Sequence, residues 1–197
     1  MKSNICKIEK GTGDLEAILT ESERVARYNA LDTKQTLQLR LLCEEIDGLL
    51  PHIIDDFYGE FHIDFEDGVC KVCASIQIPE WNGEKKENLI ALAKNKKNAE
   101  AVGIVGKIRE AIENFLLDAG ESADLGMPQL GFGTGYSEGV DYAYLWRLEE
   151  YRSTLKQQEE TEAWDEMEKT VLTSIADDII VGVKGKQANI TVVKKFV

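Results

Sequence analysis

Two alternating segments on either side of a short turn narrow the fold more than anything else in this chain. EFHIDF (60–65) and VCKVCASIQI (69–78) carry apolar residues at every second position, with Glu66, Asp67 and Gly68 between them. A period of two belongs to a strand buried on one face, and Asp-Gly is a strong hairpin signal. A second pair closes the chain, where IIVGV (179–183) and ANITVVKKF (188–196) surround KGKQ. NICKIEK (4–10) alternates in the same way and predicts a further strand. Strands of this kind need an apolar layer over their buried face.

The chain between them supplies that layer at helical spacing. After GTGD (11–14), Leu15, Ile18, Leu19, Val25 and Ala26 share one side of a helix running to about Tyr28, with Asp14 or Thr12 as its cap. Asp32 caps a second helix, and Gln35 three residues on fits a capping box. Leu39, Leu42, Ile46, Leu49 and Ile53 form its buried stripe, and Pro51 should stop or kink it. From Pro79 to about Ala119 the pattern is again helical, with Val105, Ile108, Ile112, Phe115 and Leu116 on one face. Residues 120–140 are rich in glycine and predict a long loop. Tyr142, Tyr144, Trp146 and Tyr151 predict a third helical region whose aromatics pack, with Trp164, in the core. KQQEETEAWDEMEK then leads into a helix through about Ala176. The expectation is one α+β domain over residues 1–197. It is a two-layer sandwich with a mixed or antiparallel sheet, helices on one face, and a helical and glycine-rich insertion at about 84–160.

Charge excludes several partners. Thirty-six acidic residues against 23 basic ones give a net −13, which repels phosphate backbones and anionic lipid, so neither nucleic acid nor a membrane is expected as a partner. The short basic run at Lys94–Lys97 reads as a solvated helix face or loop. MKSNICKIEKGTGD lacks the apolar run of a signal peptide and no segment approaches a membrane span, so the expected location is cytoplasmic. Of the four cysteines, Cys70 and Cys73 make a CxxC inside a strand, where an offset of three sends the thiols to opposite faces. With only His52 and His62 available, no second ligand pair stands at zinc-finger spacing. Structural thiols and no metal site are the expectation.

The order strand, two helices, hairpin, helix, hairpin resembles the ATP-binding fold shared by histidine kinases and anti-sigma factor serine kinases (the GHKL type), above all the anti-sigma members. The resemblance is carried by RLLCEEIDGLLPHII (40–54), GEFHIDFEDGVCKVCASIQI (59–78) and SIADDIIVGVKGKQANITVVKKF (174–196), and covers roughly residues 1–80 and 160–197. EAWDEMEKTV and GKIREAIE are also similar to segments of clostridial-type hypothetical proteins labelled ATP-binding. In the family the second helix carries a glutamate, an asparagine four residues on, and often a histidine after four more. Glu44, Gly48 and His52 occupy those positions.

The resemblance implies specific roles. Glu44 would be the general base, work that needs only a placed carboxylate. The asparagine would hold Mg²⁺ against the phosphates, and Gly48 has no side chain to do so. Asp47 offers an oxygen, but about 100° round the helix. Gln77, in SIQIPEW, stands near the family's adenine-reading aspartate, and its carboxamide can pair with adenine. At the lid, DEMEKT places Glu166 and Glu168 where phosphate-holding glycines would stand. GFGTGYSEG (131–139) offers Gly131, Gly133 and Gly135 as a displaced lid. GIVGK (103–107) is only loosely similar to a phosphate loop, without its spacing or final hydroxyl residue. Each residue also has an ordinary reading: Glu44 lies opposite Leu42, Ile46 and Leu49 as a solvated glutamate, and His52 beside Pro51 is a helix-end residue.

Two functions follow from the resemblance. One is a cytoplasmic regulatory protein with a degenerate nucleotide site that acts through protein–protein binding. The other is an ATP-binding protein with weak ATPase or serine kinase activity. ATP and Mg²⁺ are the cofactors the fold implies, although the metal-ligand asparagine and the lid glycines are missing here. The relatives often dimerise, so a protein partner and a homodimer are both implied.

Overall fold

The computed structural model describes residues 1–11, 14–79, 104–121, 144–158 and 170–196. The elements are β1 (Cys6–Glu9), α1 (Leu15–Tyr28), α2 (Thr33–Ile53), β2 (Tyr58–Glu66) and β3 (Val69–Gln77), followed by α3 (Ile104–Glu121), β4 (Tyr144–Arg147) and α4 (Leu148–Gln158). α5 (Val171–Ile175), β5 (Asp178–Lys184) and β6 (Gln187–Lys195) complete the fold. The strands form one sheet in the order β1-β2-β3-β6-β5-β4, with every pairing antiparallel. The fold is α+β, and the sheet that could have been mixed is antiparallel throughout.

Both hairpin turns take the geometry their residues permit. Asp67 and Gly68 have φ of 50° and 77°, and a two-residue turn of type I′ needs positive φ at both positions. Glu66 therefore faces Val69 directly. In the second hairpin Gly185, with φ 59°, takes the first of the two turn positions between Lys184 and Gln187.

Alternation then sorts the side chains. Phe61, Ile63 and Phe65 on β2, Cys70, Val72, Ala74 and Ile76 on β3, and Ala188, Ile190 and Val192 on β6 are buried under the helices. The intervening residues, among them Glu60, His62, Lys71, Cys73, Ser75, Gln77, Asn189 and Thr191, lie on the opposite face. Cys70 and Cys73 accordingly fall on opposite faces, one buried and one half-buried, and all four cysteines are free.

The helices cover the apolar face. Asp14 caps α1 by accepting from the Ala17 N–H at 3.0 Å. Asp32 accepts from Gln35 N at 2.8 Å, and the Gln35 side chain accepts from Asp32 N at 3.0 Å, closing the capping box. α2 buries Leu39, Leu42, Cys43, Ile46, Leu49, Leu50 and Ile53. Burial of each large side chain is worth roughly 1.5–3 kcal/mol, so α2 is a main attachment of the helical layer. Pro51 lies in the last turn of α2, which ends at Ile53. α3 adds Ile104, Ile108, Ala111 and Ile112 to the same core.

One expectation needs correction. The aromatic region around Tyr144 and Trp146 is not helical: Tyr144–Arg147 is strand β4, and the helix starts only at Leu148. The reason is non-local, because β5 offers an open edge and pairs Tyr144 with Val183 and Trp146 with Val181. Trp146 is buried, and its ring meets that of Tyr151 with centroids 6.0 Å apart. The polar stretch after it is helical to Gln158, and the helix ending near Ala176 is the short α5, capped by Thr170. β4 and α3, both inside the stretch read as an insertion, contribute to the sheet and core. Tyr142, Trp164 and the run at 94–97 lie outside the described residues.

A polar clamp fixes the junction of β4 and α4. Asp178, 7% exposed, accepts on Oδ2 from Arg147 Nε at 3.1 Å and Nη2 at 2.7 Å. Its Oδ1 accepts from the Glu149 N–H at 3.2 Å and the Ile179 N–H at 2.9 Å. The carboxylate thus serves an N–H in the first turn of α4, a group that lacks a partner within its own helix.

Candidate functional site

The helix expected to carry chemistry is α2, and its position decides what Glu44 can do. Arg40, Glu44, Gly48 and His52 follow one another at intervals of four and so share one stripe of the helix. That stripe points away from the sheet. Glu44 keeps 35% of its side chain exposed and accepts from Arg40 Nε at 3.1 Å. Arg40 Nη1 reaches on to Glu23 Oε1 of α1, also at 3.1 Å. The carboxylate therefore closes a surface ion-pair chain linking α1 to α2. Such exposed pairs contribute about 0.2–1 kcal/mol each.

Beside it, Gly48 is exposed, and a Cβ built there would meet nothing within 4 Å. His52 is exposed in the last turn, where a basic side chain suits the negative end of the helix dipole. Asp47 is half-buried beside this stripe, and burial pushes its carboxyl above the usual carboxylate range. Among the described residues, no group of three or more His, Cys, Asp or Glu side chains could hold a metal ion.

Gln77 lies elsewhere. It ends β3 at an odd position of the alternation, opposite Tyr58 on one side and Gln187 on the other. The odd positions of β3 face away from the helices, so the sheet itself separates Gln77 from Glu44. The two residues cannot reach one ligand, and the expected adenine contact is not brought to the expected base. Gly131, Gly133 and Gly135, with Glu166 and Glu168, lie outside the described residues. GIVGK runs into α3, where Lys107 donates to Glu110 Oε2 at 2.9 Å and lies 5.9 Å from the Tyr151 ring centroid.

On the open face, Gln77 joins a set of residues that the sequence reading passed over. Lys7, Tyr58, Glu60, Ser75, Gln77 and Gln187 line a depression of about 660 Å³ at one end of the sheet. Lys7, Glu60 and Ser75 read simply as the polar half of alternating strands, Gln187 as a turn residue and Gln77 as an adenine contact. What gathers them is the pairing of β1, β2, β3 and β6, which no local pattern announces. No family model, curated protein or solved structure matches this chain.

Proposed function

We propose that this chain is a regulatory protein built on a sandwich of the histidine-kinase ATPase type, with a degenerate nucleotide site, and that it acts by binding a protein partner. The order of elements supports the first part: a strand, two helices, a hairpin, further helices and a closing hairpin, with the helices on one face. The observation that carries the second part is the state of Glu44. A general base needs a free carboxylate facing a substrate, whereas Glu44 is engaged by Arg40 on an exposed helix face, beside a glycine where the metal ligand would stand. The likeness in layout is an argument about fold, and function has to be argued from the site.

Calorimetric titration with ATP and ADP, with and without Mg²⁺, tests this reading on the wild type and on Glu44→Ala. A flat titration for both proteins is expected. Binding tighter than about 100 μM, roughly −5.5 kcal/mol, that is weakened by Glu44→Ala would overturn it in favour of an ATP-binding enzyme. Among the described residues no helix is long and apolar enough to cross a membrane.

A further inference from the structure

The depression on the open face of the sheet has a composition of its own. Two cross-strand rows build it. One runs Glu9, Tyr58, Gln77, Gln187 across β1, β2, β3 and β6, and the next runs Lys7, Glu60, Ser75, Asn189. Neighbouring strands lie about 4.8 Å apart, so each row presents a ladder of side chains at that pitch. Tyr58 is 54% exposed, a large aromatic surface left open beside two carboxamides.

The floor is held in place. Ser75 Oγ donates to Asn189 Oδ1 at 2.6 Å, and Gln187 Nε2 donates to the same oxygen at 3.4 Å. Beneath them, a Cβ at Gly59 would fall 2.0 Å from the Ser75 carbonyl oxygen and 2.9 Å from Ile76 Cα. β2 thus approaches β3 more closely than any side chain at position 59 would allow. Among the described residues, the Gln77 carboxamide and the Tyr58 hydroxyl have no hydrogen-bond partner.

We infer that this depression binds a neutral saccharide. The charged residues around it, Lys7, Glu9 and Glu60, sum to −1, on a chain of net −13, which opposes phosphate and carboxylate ligands. Uncharged donors and acceptors, Gln77, Gln187 and Ser75, remain to fix a ligand rich in hydroxyl groups. The exposed ring of Tyr58 suits the apolar C–H face of a sugar, since an aromatic side chain offers one apolar surface with a polar tip. A nucleobase would favour a slot with two apolar walls, and this depression has a single aromatic one. The volume lies within the range of small-molecule sites, about 300–1,000 Å³. The site is on the opposite face of the sheet from Glu44 and does not depend on the nucleotide reading.

The test is a titration of the ¹⁵N-labelled full chain with glucose, galactose, N-acetylglucosamine and their β-1,4-linked disaccharides, and separately with adenosine. The side-chain amide resonances of Gln77 and Gln187 are followed. At least one saccharide should shift them, saturating with a Kd of about 1 mM or tighter. Tyr58→Ala and Gln77→Ala should each weaken that binding about tenfold, with resonances remote from the site unchanged, which shows that the fold persists. The proposal is overturned if no saccharide shifts these amides up to about 20 mM. It is also overturned if adenosine shifts them while the sugars do not, or if Tyr58→Ala binds as the wild type does.

Discussion

Replacing Asp178 tests how the edge of the sheet is held. Its carboxylate makes four hydrogen bonds, two to Arg147 and two to the backbone N–H groups of Glu149 and Ile179. Arg147 keeps 37% of its side chain exposed, so water can resolvate the guanidinium once its partner is gone. The backbone groups are less fortunate, because the Ile179 N–H is buried and the Glu149 N–H partly so, and a buried N–H left without an acceptor costs about 1–3 kcal/mol. Asp178→Ala should therefore destabilise the protein by about 3–4 kcal/mol, from the two lost backbone acceptors together with the charge-assisted contact to Arg147. Asp178→Asn retains an oxygen acceptor for both N–H groups and loses mainly the charge, so its cost should be about 1–2 kcal/mol. At roughly 2–4 °C per kcal/mol for a chain of this size, the alanine variant should melt about 6–16 °C below the wild type. Urea denaturation followed by circular dichroism measures both variants, and equal m-values would show that the same surface is exposed on unfolding. Two results would refute the reasoning. An alanine cost below about 1 kcal/mol would mean that the N–H groups find other acceptors, and an asparagine cost equal to the alanine cost would mean that the charge, rather than the acceptor geometry, holds the junction.

Three further predictions rest on equally local facts. Gly59→Ala should destabilise by about 2–4 kcal/mol, because the atoms its Cβ would meet are backbone and cannot rotate away. Gly48→Ala on the exposed face of α2 should stabilise by about 0.8–1 kcal/mol; in thermal melts a rise for Gly59→Ala would refute the first assignment and a fall for Gly48→Ala the second. Burial raises the Cys70 thiol from 9.0 to about 12, with Cys73 and Asp64 adding to the effect. Between those values the unfolded chain has released a proton that the folded chain keeps, so stability is full below the unfolded pKa and falls as pH rises toward the folded one. From about pH 8 to about pH 10 the thiol should cost the wild type about 1.4 kcal/mol. The urea-stability gap between wild type and Cys70→Ala should narrow by that amount, and a gap independent of pH would show that the thiol titrates normally.

Much of the helical layer was legible because its signals are local. Asp14, Asp32 and Gln35 announce helix starts through hydrogen bonds that span three residues, and the α2 stripe needs only a period of 3.6. The same holds for the hairpin turns, where Asp67-Gly68 and Gly185 satisfy a steric demand for positive φ. The error at Tyr144–Arg147 is of a different kind. Four residues with two aromatics fit either a helix or a strand, and the edge of β5, reached from a segment more than thirty residues later in the chain, settled the matter. Nothing within reach of the sequence window carried that information.

The candidate site divides along the same line. The spacing of Glu44, Gly48 and His52 placed them correctly on one stripe of α2, but not the Arg40 bridge to Glu23 that turns the stripe into a surface brace. Gln77 was placed on the right strand, while the face it occupies relative to Glu44 follows from which side of the sheet the helices cover. The row from Tyr58 through Gln77 to Gln187 joins residues far apart in the chain, because β6 returns to lie beside β3. Sequence alone determined most of the described elements, β4 excepted, since caps, turns and apolar periods act over a few residues. Tertiary structure alone decided the neighbours, since pairing between distant strands is selected by the burial of the whole sheet.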